Sequence, residues 1–196
     1  MRKIVVASNN EGKIREIKRI FEDYEIITLK EMEEKIGSKI EVLENEDTFR
    51  GNAISKVKSV AKAIPENYYI LADDSGIEID ALDGFPGVYT HRWLDGTDED
   101  RNNGLLEKLK GKDDRTCRFK VAIACYHNSN VITAEEEIIG KVALSPRGEN
   151  GFGFDPIFEL DTGKTLAEIT MEEKNKIGCR KKALMKIHFA IENGEI

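Results

Sequence analysis

The chain has 196 residues, of which 40% are hydrophobic and 34% are charged, a composition that supports a folded core and excludes wholesale disorder. Its 37 acidic and 30 basic side chains give a formal net charge of -7, which provides no long-range attraction for nucleic acid. No apolar run approaches the roughly 18 residues of a membrane span and no cleavable leader is recognisable, so we expect a cytoplasmic protein without a membrane or nucleic-acid partner.

The three cysteines lie far apart and form no C-x-x-C pair, so the sequence predicts neither a disulfide framework nor a zinc site. No internal repeat, low-complexity tract or Pro/Ser-rich linker interrupts the chain. The simplest interpretation is one continuous domain over residues 1–196.

The first half of the chain alternates strand and helix patterns. Residues 4–7 predict a buried strand that leads directly into a helix over residues 12–22. Residues 25–29 predict a second strand, and apolar positions at helical spacing predict a helix over residues 49–61. Residues 68–72 form a further apolar strand, which the polar run after it is expected to end.

The second half adds an antiparallel section. Residues 77–80 predict a short strand, and a capping box at residues 97–100 opens a helix that ends near Gly111. Residues 117–125 alternate as a strand does, and residues 131–144 predict one or two more. With a C-terminal helix striped by apolar residues, the fold class is α/β with a mixed sheet.

The joint between the first strand and the first helix favours an anion. Ser8, Asn10 and Lys13 lie where unpaired backbone N–H groups and the helix dipole attract negative charge. The segment is not a Walker A loop, because Ile14 stands where that motif requires Ser or Thr. The alternative is an Asn-capped helix with a solvated lysine.

Two further segments carry carboxylates. Glu44 precedes a helix on which Asn52 and Lys56, four residues apart, share one face. Asp73 and Asp74 follow an apolar strand at the end where ligands of open α/β sheets usually bind, and two carboxylates there can hold a hard cation. The alternatives are an acidic loop before an amphipathic helix and a plain Asx-turn.

The last two segments favour a flat or anionic ligand. In residues 151–156 a glycine, Gly153, separates Phe152 from Phe154, so a planar base could stack there. Lys174, Cys179 and Arg180 belong to a basic run at the start of the last helix. The alternatives are a glycine-rich strand bend with core aromatics and a solvated basic face.

In this order the five segments resemble the inosine triphosphate pyrophosphatases, which convert non-standard purine nucleoside triphosphates such as ITP, dITP and XTP to monophosphate and pyrophosphate. The resemblance runs through Ser8-x-Asn10-x-x-Lys13, Phe49-x-x-Asn52-Ala53-x-x-Lys56, Ala72-Asp73-Asp74-Ser75-Gly76, the segment from Asp80 to Tyr89, Gly151–Phe158 and Lys174-Asn175…Arg180. It implies an elongated mixed sheet with helices in two lobes, a nucleotide cleft between them, a Mg²⁺ cofactor and a homodimer.

Carried over residue by residue, the resemblance implies that Asp74 is the general base and a Mg²⁺ ligand, with Glu44 and Asp73 as supporting carboxylates. The triphosphate would meet Ser8, Asn10, Lys13, Lys56, Ser75 and Arg92. The base and sugar would meet Phe152, Gly153, Phe154, Asp155, Lys174, Cys179 and Arg180.

The chain departs from the family pattern where the family usually reads Ser-His-Arg and this sequence reads Gly178-Cys179-Arg180. The missing histidine acts on the 6-oxo edge of the base in the family, so we expect a narrower margin between 6-oxo purines and adenine. Two alternatives stay open: a nucleoside triphosphate pyrophosphatase with a different or broader base preference, and a non-enzymatic nucleotide-binding protein.

Overall fold

The computed structural model describes residues 2–196, apart from the side chain of Asn175. Six strands and six α-helices lie along these residues, with two short 3₁₀ turns at Asp80–Leu82 and Gly87–Tyr89. In chain order they are β1 (Lys3–Val6), α1 (Glu11–Ile20), β2 (Glu25–Thr28), α2 (Leu29–Ile36), α3 (Phe49–Ala61), β3 (Tyr69–Ile79), α4 (Asp98–Lys108), β4 (Thr116–His127), β5 (Asn130–Val142), β6 (Phe158–Glu159), α5 (Met171–Ile177) and α6 (Cys179–Glu192).

The strands form one sheet in the order β2-β1-β3-β4-β5-β6. Strand β1 pairs in parallel with both β2 and β3, whereas β5 and β6 are antiparallel. Only Asn128 and Ser129, both with positive φ, join the neighbouring strands β4 and β5, and a connection of two residues is possible only for an antiparallel hairpin. The predicted α/β class with a mixed sheet is confirmed.

Two compact units share these elements. The first contains Met1–Asp74, Val121–Glu136 and Arg180–Ile196, and the second contains Ser75–Lys120 and Glu137–Cys179. The chain therefore passes from one unit to the other four times. The single domain over residues 1–196 stays a prediction.

The first unit is built around β1 and the helices near it. Ile4, Val5 and Val6 are all buried, as expected for a parallel strand covered on both faces. Helix α2 packs on β1 and β2. Helix α1 begins where the Asn10 side chain accepts a hydrogen bond from the backbone N–H of Lys13, 3.1 Å away, and this cap fixes the start of the helix directly after the strand.

The second unit has its own apolar core. Strand β3 contributes Ile77 and Ile79, helix α4 and the residue that caps it contribute Leu105 and Leu109, and β6 adds the ring of Phe158. The capping box predicted at residues 97–100 is present, with Thr97 and Asp100 bonding each other's backbone N–H groups. This start positions α4 against the loop described below.

The structure differs from the prediction mainly in β3. The predicted strand at residues 68–72 continues through Asp73-Asp74-Ser75-Gly76 and joins the predicted strand at 77–80, so the expected turn is wrong. The strand continues because both carboxylates find buried cationic partners, which removes the reason to turn toward water. Lys174 lies in a separate short helix, α5, and not at the start of the last helix.

No helix within the described part of the chain is both long and apolar enough to cross a bilayer.

Candidate active site

Strand β3 directs its two neighbouring aspartates to different partners. Successive side chains of a strand point to opposite faces of the sheet, so Asp73 and Asp74 cannot share one environment. Asp73 contacts helices α1 and α6, through Lys13 and Arg180, whereas Asp74 contacts helix α3. All of these groups belong to the first unit.

Asp73 is completely buried between two cations. Its Oδ1 pairs with the ammonium of Lys13, and its Oδ2 accepts a hydrogen bond of 2.9 Å from Arg180 Nε. The Arg180 guanidinium also donates to Glu16 at 3.0 Å. Burial opposes the charged form of Asp73, but Arg180 and Lys13 outweigh burial and hold the pKa of this carboxyl well below its usual value.

Two side chains of α3 form hydrogen bonds with the Asp74 carboxylate. Lys56 Nζ lies 2.8 Å from Oδ1, and the Asn52 amide donates to Oδ2 at 3.0 Å. Lys56 also lies 2.7 Å from Glu44 Oε1. Burial raises the pKa of Asp74 in spite of these partners. A carboxylate with a raised pKa beside a cation can accept a proton more readily than an ordinary surface aspartate.

The pKa values of the two lysines of this cluster are shifted in opposite directions. Burial lowers the pKa of Lys13, although Asp73 lies against it. Burial also opposes the charge on Lys56, but Asp74 and Glu44 outweigh it and raise the pKa of that ammonium. Lys56 therefore keeps a positive charge near two carboxylates, whereas the charges of Arg180 and Lys56 add to the effect of burial on Lys13.

The segment before α1 has the shape expected of an anion site. Ser8 Oγ accepts from the backbone N–H of Asn10 at 3.2 Å, and Asn10 caps the helix. The first turn of α1 therefore directs its N–H groups and positive dipole end toward this segment. Lys13, in that first turn, adds a full charge.

The carboxylates fit a hard cation to a limited degree. Glu44 and Asp74 are both in contact with one cationic group, the ammonium of Lys56, so their oxygens are already arranged around positive charge. Carboxylate oxygens are the ligands that Mg²⁺ prefers. Among the described residues, however, no three Asp, Glu, His or Cys side chains come together as a ready-made metal site. Asp73 has both oxygens engaged by Lys13 and Arg180.

A second cluster lies wholly in the second unit, on the loop after β5. The Asp155 carboxylate accepts from the backbone N–H of Phe152 at 2.8 Å and pairs with Lys174 Nζ at 2.5 Å. The same ammonium lies 4.9 Å from the centroid of the Phe152 ring. An aromatic face beside a cation and a carboxylate can stack a planar base and bond its edges.

Helix α4 holds the tip of this loop. Asp98 Oδ2 accepts from the backbone N–H of Gly153 at 3.0 Å, and the Asn102 amide donates to the Gly153 carbonyl at the same distance. Gly153 has a positive φ of 65°, which glycine adopts without strain. The loop also lines a cavity of about 350 Å³ with Asp98, Asn102 and Pro146.

The predicted site residues thus separate into two groups. The first unit brings together Ser8, Asn10, Lys13, Glu44, Lys56, Asp73, Asp74 and Arg180. The second unit brings together Phe152, Gly153, Asp155 and Lys174. Arg180, predicted beside the base, contacts Asp73 and Glu16 in the first unit.

Four other predicted residues also lie in the second unit. Ser75 is buried in β3, and Phe154 packs in the apolar core of that unit. Arg92 donates to the Val88 carbonyl at 3.2 Å. Cys179 is buried, with its Sγ 3.9 Å from the Phe119 carbonyl oxygen.

Sequence reasoning missed some of the residues that build the two clusters. Asn52 was noticed for its spacing from Lys56 but not placed in the site, although the i, i+4 relation was a readable signal. Asp98 and Asn102 show the same spacing on α4. Glu16 gave no signal, because its partner Arg180 lies 164 positions later.

Comparison with known proteins shows the family of the chain. A model of the Ham1 family matches residues 4–189, nearly the whole chain. The chain belongs to the Ham1 family. The resemblance drawn from the motifs is thereby confirmed.

Relatives of this Ham1 family member match it end to end. A protein of Bacillus subtilis (strain 168) named dITP/XTP pyrophosphatase is 42% identical over 200 residues, which cover 98% of each chain. The structure of the Staphylococcus aureus Ham1 protein matches with a TM-score of 0.85 and 37% identity over 100% of both chains. The structure of a HAM1 protein from Coxiella burnetii has a TM-score of 0.86 and 33% identity, covering 98% of this chain and 100% of that one.

Proposed function

We propose that this Ham1 family member is a nucleoside triphosphate pyrophosphatase that hydrolyses non-standard purine nucleoside triphosphates, namely dITP, XTP and ITP. The reaction breaks the bond between the bridging oxygen and the α-phosphorus and yields a nucleoside monophosphate and pyrophosphate. The observation that carries the proposal is the pair Asp73-Asp74, two neighbouring buried carboxylates held by separate cations, Lys13 and Arg180 on the first and Lys56 on the second. The names of the relatives agree with this activity.

In this proposal Asp74 is the general base. It accepts a proton from the water that attacks the α-phosphorus, and its raised pKa suits that task. The electron pair of the breaking bond leaves with pyrophosphate. No covalent intermediate with the protein is required.

The cations of the first unit bind the phosphates. Lys13 and the N–H groups at the start of α1, with Ser8 and Asn10, would hold the charged oxygens through charge-assisted hydrogen bonds. Asp73 then serves to hold Lys13 and Arg180 in place, since both of its oxygens already meet them. From the second unit we assign Arg92 and Ser75 to the phosphates, on the family resemblance alone.

Mg²⁺ is the cofactor that we propose, held by Asp74 and Glu44. When bound, it neutralises phosphate oxygens and makes the attacking water more acidic. Binding requires Lys56 to move from between the two carboxylates or to share them.

In the second unit, the Phe152 ring stacks on the purine, and Asp155 and Lys174 bond its edges or the sugar.

We also propose a homodimer, and light scattering of the purified protein would measure its mass.

The test is a panel of ITP, XTP, dITP, GTP, ATP and pyrimidine triphosphates with Mg²⁺, followed by chromatography of the products. We expect monophosphate and pyrophosphate, with 6-oxo purines preferred. Direct release of orthophosphate from the triphosphate would contradict the proposed bond. Equal turnover of all bases would favour a broader pyrophosphatase, and binding without turnover would favour a nucleotide-binding protein.

A further inference from the structure

Both polar groups of the Asn52 side chain form hydrogen bonds within the first unit. It is fully buried, at 0% exposure. Its amide N–H donates to Asp74 Oδ2 at 3.0 Å, and its carbonyl oxygen accepts from the backbone N–H of Glu46 at 2.9 Å. A buried amide with donor and acceptor both engaged has one orientation, because turning it over would place like groups against each other.

The backbone that Asn52 holds belongs to the segment that carries Glu44. This segment lies between α2 and α3, and its position depends on a few contacts with α3. Besides the bond from Glu46, the backbone N–H of Leu43 donates to Ser59 Oγ at 3.4 Å. The segment also approaches Gly51 so closely that a Cβ there would lie 2.8 Å from Glu46 Cβ.

Helix α3 thus presents two neighbouring side chains to the same pair of carboxylates. Asn52 and Lys56 are four residues apart and lie on one face. Lys56 contacts Oδ1 of Asp74 and also Glu44, whereas Asn52 contacts Oδ2 of Asp74 and the backbone two residues after Glu44. Lys56 forms ion pairs with both carboxylates, whereas Asn52 orients the Asp74 carboxylate and the backbone of the segment that carries Glu44.

We propose that Asn52 is a positioning residue of the reaction: it fixes the Asp74 carboxylate and the Glu44 segment relative to each other, and so sets the geometry in which they hold a divalent cation. This inference rests on the proposed function for its kinetic consequences. Partners of metal-binding carboxylates typically change affinity or activity by about 10–100-fold when they are removed. A misplaced catalytic group can cost a similar factor.

The experiment compares Asn52→Ala with Ser59→Ala. The second variant loosens the same segment from the same helix, but Ser59 has no contact with Asp74 among the described hydrogen bonds. We expect Asn52→Ala to lower kcat with dITP about 10–100-fold and to change KM less than about threefold. We expect Ser59→Ala to change kcat less than about twofold.

A second readout does not depend on turnover. Calorimetric titration of the nucleotide-free protein with Mn²⁺, used as the probe cation, should show affinity at least about tenfold weaker in Asn52→Ala than in the wild type. Ser59→Ala should keep the wild-type affinity. If the wild type binds Mn²⁺ but turns over no nucleotide, the proposed function fails while this measurement still decides the role of Asn52.

Asn52→Leu guards against a variant that fails to fold because a smaller side chain leaves a void. It keeps nearly the size of Asn52 and removes both hydrogen bonds without placing a second carboxylate beside Asp74. We expect a kcat as low as that of Asn52→Ala, and the Tm of each variant establishes that it is folded. Wild-type kcat and Mn²⁺ affinity in folded Asn52→Ala, or equal losses in Ser59→Ala, would overturn the inference.

Discussion

Asp73 and Asp74 show how adjacent residues of one type acquire different chemistry. The alternation of a strand sends one carboxylate to Lys13 and Arg180 and the other to Lys56 and an amide. Arg180 and Lys13 together keep Asp73 ionised, whereas one lysine and an amide only partly offset the burial of Asp74. Asp73 therefore holds two cations, whereas Asp74 has the raised pKa that suits its proposed role as a proton acceptor.

Replacing Asp74 with asparagine should remove activity and preserve the fold. The amide keeps the size of the side chain but loses its charge and basicity, and these roles together are worth at least ~10²-fold in kcat. Turnover of dITP and the Tm of Asp74→Asn measure the two effects. Near-wild-type turnover with a normal melting curve would remove Asp74 from the mechanism.

Asp73 should stabilise the fold in a pH-dependent way. Its folded-state pKa lies below the usual value of about 3.9, so its contribution is present above that pH and is lost as the pH falls toward the folded-state value. At pH 7, Asp73→Asn leaves Lys13 and Arg180 short of a buried partner, and we expect a loss of about 3–5 kcal/mol.

Thermal unfolding in the absence of divalent cations would measure this effect. The difference in Tm between the wild type and Asp73→Asn should be large at pH 7 and should narrow progressively below about pH 4. A difference that is constant between pH 7 and pH 3 would show that the ionised form of Asp73 is not what stabilises the fold.

Cys179 tests the base preference expected from the missing histidine. A thiol is a weak donor, and one lost hydrogen bond at a desolvated base costs about 1–3 kcal/mol of discrimination. Cys179→His should therefore widen the ratio of kcat/KM for ITP over ATP. Because the thiol is buried beside Phe119, the Tm of the variant must be measured with the ratio. An unchanged ratio in a folded variant would place the selectivity elsewhere.

At the scale of elements, helix α4 fixes the loop that carries Phe152, the residue proposed to stack on the base. Its first two turns bond both the N–H and the carbonyl of Gly153, so the helix fixes the loop on which Phe152 stands. Asn102→Ala removes the second of these bonds. We expect KM for dITP to rise about 3–10-fold with a smaller change in kcat, because a stacking surface contributes mainly to binding.

Asn103→Ala is the matched control on the same helix. Asn103 is exposed beside Asn102, so its replacement should leave both constants within about twofold of the wild type. Equal effects of the two substitutions would show a general disturbance of α4. A fall in kcat alone would place the loop in the chemical step.

Elements with local signals were predictable, and those with distant causes were not. The periodic helix at residues 49–61 and the alternating strand at 117–125 depend on nearest neighbours and were found. Helix α2 was missed, although Thr28 and Glu31 form a readable capping box. The continuation of β3 through Asp73 was unpredictable, because it depends on Arg180, 107 positions later.

The candidate site likewise contains residues with local sequence signals and contacts that depend on distant residues. Lys13 lies in the first turn of α1, directly after β1, where general rules place ligands. Asn52 and Lys56 share a helix face through their spacing of four, which the sequence shows. The contact of Arg180 with Asp73 is a tertiary fact, which no spacing in the sequence encodes.

At the scale of the whole molecule, the net charge does not favour the proposed substrate, so local charges must attract it. The formal net charge is -7, and the proposed substrate is also an anion, so the overall field opposes their encounter. Binding must depend on cations concentrated in the first unit, of which Lys13, Lys56 and Arg180 are all buried. Short-range contacts of buried groups are screened by salt much less than surface charges are.

The pairing of Asp73 with Arg180 also imposes an order on biosynthesis. A ribosome that adds about 5–20 residues per second needs roughly 5–20 s to make the 107 positions between the two. During that time the nascent chain already contains Lys13 and Asp73 but lacks the guanidinium that joins them to Glu16. The charged interior of the first unit can close only after α6, which carries Arg180, has left the exit tunnel.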